Sequence, residues 1–498
     1  MLDKVILEHS IGIAHIFKRR VFFVRKIKKA LALSLAMAMG LSLVACGGND
    51  DATTEATTEA KTEATEAASD DATEATEADA SATGAIAAPS TDGWDDSKKI
   101  YAYSWDEDFS KKMNVVLDKF PEYKDYVEFV TLGVGGTSDE YKTAIDTALT
   151  SGDKYPSLIP ADNDVAKYWS EDDTKTANLT DLGFTDDVMA NSYDFAKQYG
   201  TYNGELKAVT WQATAGSVFY RRDIAKEVLG SDDPETVQAA LADWDKFFET
   251  ADKLKNAGYK IVSGPSDVKY AIWDTQSQPW VTDDGSSEKL TLDGAVTEYL
   301  ETGKKIYDGG YSNNTALWDS SWAADMANDS KVFCYFGCPW FIGSMQGNGA
   351  VDGNWGAVTG PTSYHWGGTY VMVGKDTPNP ELCAFLLYEL TCDPDVGVDI
   401  TNKTGDCVNN KAANERLING ELSSDNAAQK FLGGQNPIEV WAASAEGINL
   451  SNVTYQDASI KAFIDEAATA YNSNTYTSVD DAVKYIEDKC ASELGISK

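Results

Sequence analysis

Lys98 to Phe120, "KKIYAYSWDEDFSKKMNVVLDKF", is the stretch that sets the fold class. Its first eight residues alternate as a strand. The rest puts Phe109, Met113, Val116, Leu117 and Phe120 on one helical stripe. "YVEFVTLG" follows as a second strand, closed by Gly133-Val134-Gly135-Gly136. "TSDEYKTAIDTALTSGD" then opens at a Ser/Thr cap, with Tyr141, Ala144, Ile145, Ala148 and Leu149 at the spacing of one helix face. "YPSLIPADND" is a third strand. Strand–helix–strand–helix–strand in so few residues predicts an α/β domain with a doubly wound parallel sheet. Ligands of such sheets sit beyond the carboxyl ends of the strands. Those ends are Trp105-Asp106-Glu107, Gly135-Gly136 and Asp162-Asn163-Asp164.

A second α/β unit starts near Gly216. "GSVFYRR" reads as a strand, "DIAKEVLG" as a helix capped by Asp223, and "DWDKFFETADKLKNAG" as a longer helix ending on Gly258. "YKIVSG" and "KVFCYFG" are further strands, separated by a helix around "DGAVTEYLETGKKIYDGG". "NWGAVTGP" and "WGGTYVMVG" precede a helix from Asn379, and the chain from Lys411 onward is nearly all helical. Ser478 and Asp481 have the spacing of a capping box.

Upstream of the folded body, Lys18, Arg19, Arg20, Arg25, Lys26, Lys28 and Lys29 form a cationic block, and Ala30 to Ala45 is apolar and uncharged. A basic block, a short apolar block and small residues make a secretory signal over residues 1–45. Leu43-Val44-Ala45-Cys46 resembles a bacterial lipobox, in which the cut falls before a cysteine that takes a lipid. From Asn49 to about Ser90 the chain is almost only Ala, Thr, Glu and Asp, with "TTEA" at Thr53 and Thr57 and "ATEA" at Ala64, Ala72 and Ala75. Such a segment cannot bury enough apolar surface to offset its ordering entropy. Residues 46–93 are therefore expected to be a lipidated cysteine followed by an acidic tether, and 94–498 the folded body.

Composition narrows the function. The net charge is −37, and residues 1–45 hold eight Lys/Arg against two Asp/Glu, so the remainder is more acidic still. That excludes a nucleic-acid binder, whose surface is basic, and opposes direct docking on anionic lipid. Of three histidines, His9 and His15 fall in the leader, which leaves His365. A multi-His zinc site is excluded, and a Ser-His-Asp triad could run only through that residue. There is no phosphate loop, dinucleotide fingerprint or nucleophile elbow, so no cofactor and no catalytic residue are expected. Cys334, Cys338, Cys383, Cys392, Cys407 and Cys490 are scattered; buried free thiols are expected, with one disulfide possible.

Tyr202 to Gly230, "YNGELKAVTWQATAGSVFYRRDIAKEVLG", resembles the extracellular solute-binding proteins of sugar ABC transporters, family 1, the maltose-binding-protein-like group. "DWDKFFETADKLKNAG", "KVFCYFGCPWFIG", "NWGAVTGP…WGGTYVMVG" and "NPELCAFLLYELTCDPDV" extend the resemblance in the family's order. Val209-Thr210-Trp211 departs from it where the family often has a proline. The resemblance implies a two-lobed, type II periplasmic-binding-protein-like fold with a ligand cleft between the lobes. Lobe 1 would take about 97–210 and 362–408, and lobe 2 about 214–358 and 409–498. It also implies a monomer on the outer face of a bacterial, Gram-positive membrane, anchored by Cys46 and serving the permease subunits of an ABC importer.

The residues themselves point to a carbohydrate. Aromatic faces stack on sugar rings while amides and carboxylates take the hydroxyls. The chain has 13 Trp, many beside a polar residue or in a turn: Trp105-Asp106, Trp211-Gln212, Trp273-Asp274, Trp318-Asp319, Trp340 and Trp366. Trp105, Trp211, Trp340 and Trp366 lie at strand ends or turns near the family's ligand contacts. Trp105 and Trp366 are expected in the lobe of the first strand, Trp211 at a crossover and Trp340 opposite. Gly367 and Gly368 would let the backbone approach a ring, or make a plain turn. Asp162 would contact ligand or cap the next helix. Trp441 would be the stacking aromatic that the family often draws from its C-terminal helices. Two other functions fit the residues less well: a binding protein for a peptide or polyamine, and a secreted glycoside hydrolase built on a carboxylate pair.

Overall fold

The structure, a computed structural model, describes residues 84–283 and 285–498. The leader, Cys46 and the acidic repeats up to residue 83 lie outside the described residues. β1 (Ile100–Ser104) runs parallel to β2 (Val127–Thr131), with Ile100 opposite Val127 and Ser104 opposite Thr131. It also runs parallel to β3 (Pro156–Asp162). Between them, α1 (Asp108–Lys119) buries Phe109, Met113, Val116 and Leu117 as its period demands. α2 (Asp139–Ser151) starts where Ser138 Oγ accepts the Tyr141 N–H at 3.2 Å. α3 (Asn163–Ser170) leaves β3 directly, capped by Asp162.

The second sheet differs from the parallel pattern expected of an α/β unit. β4 (Ser217–Arg221) is its centre, flanked by β5 (Cys334–Gly337) and β6 (Trp355–Val358), and both pairings are antiparallel. "YKIVSG" makes no full strand; Lys260 forms a single parallel bridge to Val332. β7 (Thr369–Val373) then returns to the first sheet and pairs antiparallel with β3, giving the order β7-β3-β1-β2. α4 (Gly294–Gly309), α5 (Phe341–Gly347), α6 (Pro437–Glu446), α7 (Asp457–Asn472) and α8 (Val479–Lys489) complete the second lobe. The capping box of α8 forms as its sequence predicts, with Ser478 and Asp481 exchanging bonds. Asp223 does not cap its helix; both of its carboxylate oxygens take Arg221, at 2.8 and 2.6 Å.

Three strands of chain link the lobes and pair with one another. Val209 bridges Val371, Gln212 bridges Val408 and Ala215 bridges His365. Trp211 sits in this ladder, 1% exposed, its ring 5.7 Å from that of Phe109. Trp441 on α6 is fully buried and points its Nε1–H at Ser217 Oγ, 3.3 Å away. Both rings lack free surface, so they pack the core and do not stack on a ligand as expected. The six cysteines are buried and unpaired.

The folded body begins ahead of residue 94, where the composition places its start. Residues 84–93 lie along the first lobe, where Tyr123 donates to the Pro89 carbonyl at 2.7 Å and Ile86 packs near Gly183. Trp94 meets Tyr126 edge-on at 5.0 Å. The apolar groups of Ile86, Pro89 and Trp94 separate this strap from the repeats before it.

A buried ring this large is costly to remove. Trp211→Ala should destabilise the folded body by about 3–5 kcal/mol, read by urea unfolding. Trp211→Phe should cost less, because the indole N–H it discards has no partner.

Candidate ligand cleft

The first lobe presents the ends of its parallel strands to the cleft. Past β1, the Trp105 carbonyl accepts the N–H groups of Gly133 and Val134 at 2.9 and 3.2 Å, which ties the two strand ends together. The Trp105 indole lies over Gly136, where a Cβ would come within 3.0 Å of the ring, and its edge meets Tyr141 at 5.8 Å. Only glycine leaves room for that ring. Asp106 is exposed beside it and accepts the Asp108 N–H at 2.9 Å. Asp162 accepts the Asp164 N–H at 2.9 Å, so the capping geometry is present. Burial, and then the neighbouring Asp164 charge, push the Asp162 carboxyl up to about 7.

The facing wall is aromatic. Trp366 stacks on Tyr270 at 4.8 Å and 25° and touches Phe341 and Trp340 at 5.5 and 5.0 Å. Trp340 donates its Nε1–H to the Trp366 carbonyl at 3.1 Å and stacks on Trp318 at 6.2 Å and 15°. Gly367 and Gly368 hold the left-handed backbone (φ 67° and 110°) that turns the chain here. Gly367 approaches the Trp340 ring, and the Gly368 carbonyl accepts the Asn163 N–H at 3.0 Å. Trp366 therefore packs with the second lobe, not with the lobe of the first strand as expected. At 6% exposure it supports the wall more than it lines it. Trp318 is 55% exposed and carries the open face.

Two polar networks close the ends. On one side, a pocket of about 250 Å³ lies among α1, the crossovers and α5. In it Lys112 Nζ reaches Asp108 at 3.0 Å and Asp406 at 3.4 Å, while Gln212 Nε2 donates to Asp406 at 3.1 Å. Burial works against the Lys112 charge, but Asp406 and Asp108 outweigh it, so its pKa stands above the usual lysine value. On the other side, Asp274 Oδ2 accepts both the backbone N–H and the ring Nδ1 of His365, each at 2.6 Å. That bond fixes the tautomer and leaves Nε2 to accept from the Asn163 amide at 3.0 Å. The imidazole thus faces an amide, and not the hydroxyl a triad requires. Asn163 Oδ1 and Asp457 Oδ2 are sealed from solvent without hydrogen-bond partners, and their residues border a gap of only about 10 Å³ together with Lys167, Tyr455 and Lys461.

A family model described as "Bacterial extracellular solute-binding protein" matches residues 115–430, well over half of the chain. The chain belongs to that family. No curated protein sequence matches this solute-binding protein. Among solved structures, it is similar to one titled extracellular solute-binding protein family 1, at 17% identity and a TM-score of 0.65 over 78% of this chain and 97% of that one. It is similar to the galacto-N-biose/lacto-N-biose I-binding protein of an ABC transporter from Bifidobacterium longum, at 16% identity and a TM-score of 0.60, covering 80% of this chain and 98% of that one. A third, the ABC transporter-associated binding protein from B. animalis subsp. lactis in complex with β-1,6-galactobiose, has 21% identity and a TM-score of 0.58, covering 80% and 99%. These likenesses show the two-lobed fold of this solute-binding protein.

Of the residues expected at the ligand, the fold brings Trp105, Asp106 and Asp162 to the strand ends and Trp340, Trp366, Gly367 and Gly368 to the opposite wall. Trp211 and Trp441 lie elsewhere, in the core. Sequence reasoning placed Asn163 at a strand end without giving it a role, and missed Lys112, Tyr270, Asp406 and Asp457. Asn163 and Tyr270 carried a usable signal, since one directly follows β3 and the other precedes the Trp273-Asp274 pair. Lys112 gave none, because it sits within an otherwise apolar helix face.

Asp162 yields a pH test. Its folded pKa of about 7 lies above the ordinary 3.8, so the folded protein holds that proton longer and loses stability as pH rises from about 4 to about 7. Asp162→Asn keeps an N-cap and removes that loss. The variant should melt a few degrees higher than wild type at pH 8, and the advantage should vanish near pH 4.

Proposed function

We propose that this chain is the substrate-binding component of an ABC importer and takes a mono- or oligosaccharide into the cleft between its lobes for delivery to the permease. One observation carries the reading. Trp318, more than half exposed and stacked on Trp340, presents an open indole face, and Trp340 borders the pocket lined by the polar groups of Lys112, Gln212 and Asp406. A sugar suits both, because its C–H faces stack on indole and its hydroxyls exchange hydrogen bonds with amides, carboxylates and ammonium groups. Solved proteins of similar fold were determined with lacto-N-biose, β-1,6-galactobiose and maltose, which supports the class without fixing the sugar.

Titration calorimetry against a glycan panel tests the reading. Trp318→Ala should weaken the tightest binder by about 10- to 100-fold, the scale of losing 1–3 kcal/mol of apolar contact, while the ligand-free melting temperature stays nearly unchanged. Trp366→Ala should instead lower that temperature first. Normal binding by Trp318→Ala would move the site off this wall.

Binding without turnover is part of the proposal. Chromatography after long incubation should return the glycan intact; enzyme-dependent new reducing ends would favour the glycosidase.

The anchor at Cys46 is also proposed, from the basic block, apolar block and lipobox-like residues before it. Cys46→Ala expressed in a Gram-positive host should leave the protein soluble in the medium and still able to bind glycan. Retention of that variant in the membrane fraction would refute lipid attachment.

A further inference from the structure

The strap at 84–93 takes no part in the ligand cleft, yet it lies on a loop that reaches the connections between the lobes. Ile86 covers Gly183, where a Cβ would come within 3.3 Å of the isoleucine side chain, and Gly84 lies beside Val188, where a Cβ would meet Cγ2 at 3.6 Å. Further along, the Tyr123 hydroxyl holds the Pro89 carbonyl at 2.7 Å, and Trp94 meets Tyr126 edge-on at 5.0 Å. Ile86 and Trp94 thus pin the strap at its two ends.

The loop beneath it, residues 183–193, is folded on itself. The Phe184 N–H donates to the Leu179 carbonyl at 3.1 Å, and the Met189 N–H to the Thr185 carbonyl at 2.9 Å. Its far end is seated on the third connection. The Asn191 carbonyl accepts the Lys411 N–H at 2.7 Å, and the Tyr193 N–H donates to Asn409 Oδ1 at 2.9 Å. Asn409 is 1% exposed and commits its remaining donors to the first connection. Its N–H goes to the Trp211 carbonyl at 2.7 Å, and its Nδ2 to the Thr210 carbonyl at 3.1 Å. One buried amide therefore joins two interlobe connections to the loop that carries the strap. A buried group so fully engaged cannot shift without leaving a partner unsatisfied, which is costly away from water.

We propose that the strap is a brace for the hinge: by packing on Gly183 it keeps loop 183–193 against Asn409 and limits the play of the first and third connections. The inference is independent of what the cleft binds. The chain ahead of residue 84 is the acidic stretch that leads back to Cys46. A pull along that stretch acts first on the strap, and a pull that lifts Ile86 loosens the seat of the hinge.

Hydrogen–deuterium exchange of the full chain without ligand, read at single amides, tests the brace. The Tyr193 and Lys411 amides report the seam directly, because each is donated across it. In Ile86→Asp/Trp94→Ala, a charge faces an apolar surface and the other pin is removed, so the strap should come away. Exchange at both reporter amides should then quicken about tenfold along with the strap, while the strand Ser217–Arg221 keeps its wild-type rates. If the strap quickens alone and Tyr193 and Lys411 do not change, it is a cover and not a brace. Unchanged exchange in the strap itself would show that these side chains do not hold it and would overturn the proposal equally. Should the double variant quicken the strand too, the milder Ile86→Ala decides by the same two amides.

Discussion

One buried carboxylate, Asp406, holds the crossover region together. It lies in the third connection between the lobes, and it takes Lys112 from the first helix and Gln212 from the first connection. Gln212 in turn accepts the Thr369 N–H at the start of β7 with its Oε1, at 2.9 Å. A charge this buried is tolerated only when its partners are in place, and losing one partner leaves the other charged and dry. Burial pushes the Asp406 carboxyl up further than Lys112 can pull it down. The network therefore demands a fixed geometry at the point where three segments cross. The Lys112 pocket and the Trp340 wall both take their positions from it.

A tightly packed aromatic cluster adjoins a self-contained polar chain. Trp366, Phe341 and Tyr270 support one another and hold Trp340 and Trp318 in place. Close packing of that kind fixes ring positions before a ligand arrives, so little ordering entropy is lost on binding. Beside them, the Asp274–His365–Asn163 chain satisfies itself except for one amide oxygen. The same groups explain why His365 is structural: both its ring nitrogens are engaged, and neither meets a nucleophile.

Much of the first lobe was legible in the sequence because its signals are local. The α1 stripe, the Ser138 cap and the β3-to-α3 turn at Asp162 each depend on residues a few positions apart. The second sheet was less legible. Its strands are four or five residues long, and burial on both faces hides the direction of pairing. Tryptophan positions were read from strand ends and turns, which predicts placement near a cleft but not which way a ring points. Trp105 lies past the end of β1 and Trp340 borders the Lys112 pocket; Trp211 turned inward against Phe109, and Trp366 packs on Tyr270 and Phe341. Lys112 was invisible because its meaning depends on Asp406, far along the chain. The strap at 84–93 was hidden by the acidic repeats before it, although Ile86, Pro89 and Trp94 broke their pattern.

The central claim is that one ligand bridges both lobes. Hydrogen–deuterium exchange of the full mature chain, with and without its tightest-binding glycan, tests this most directly. The account predicts slowed exchange on both sides of the cleft at once. Peptides spanning 105–108 and 163–168 should be protected in one lobe, and those spanning 340–346 and 454–461 in the other. Protection confined to a single lobe, with the facing peptides unchanged, would contradict it.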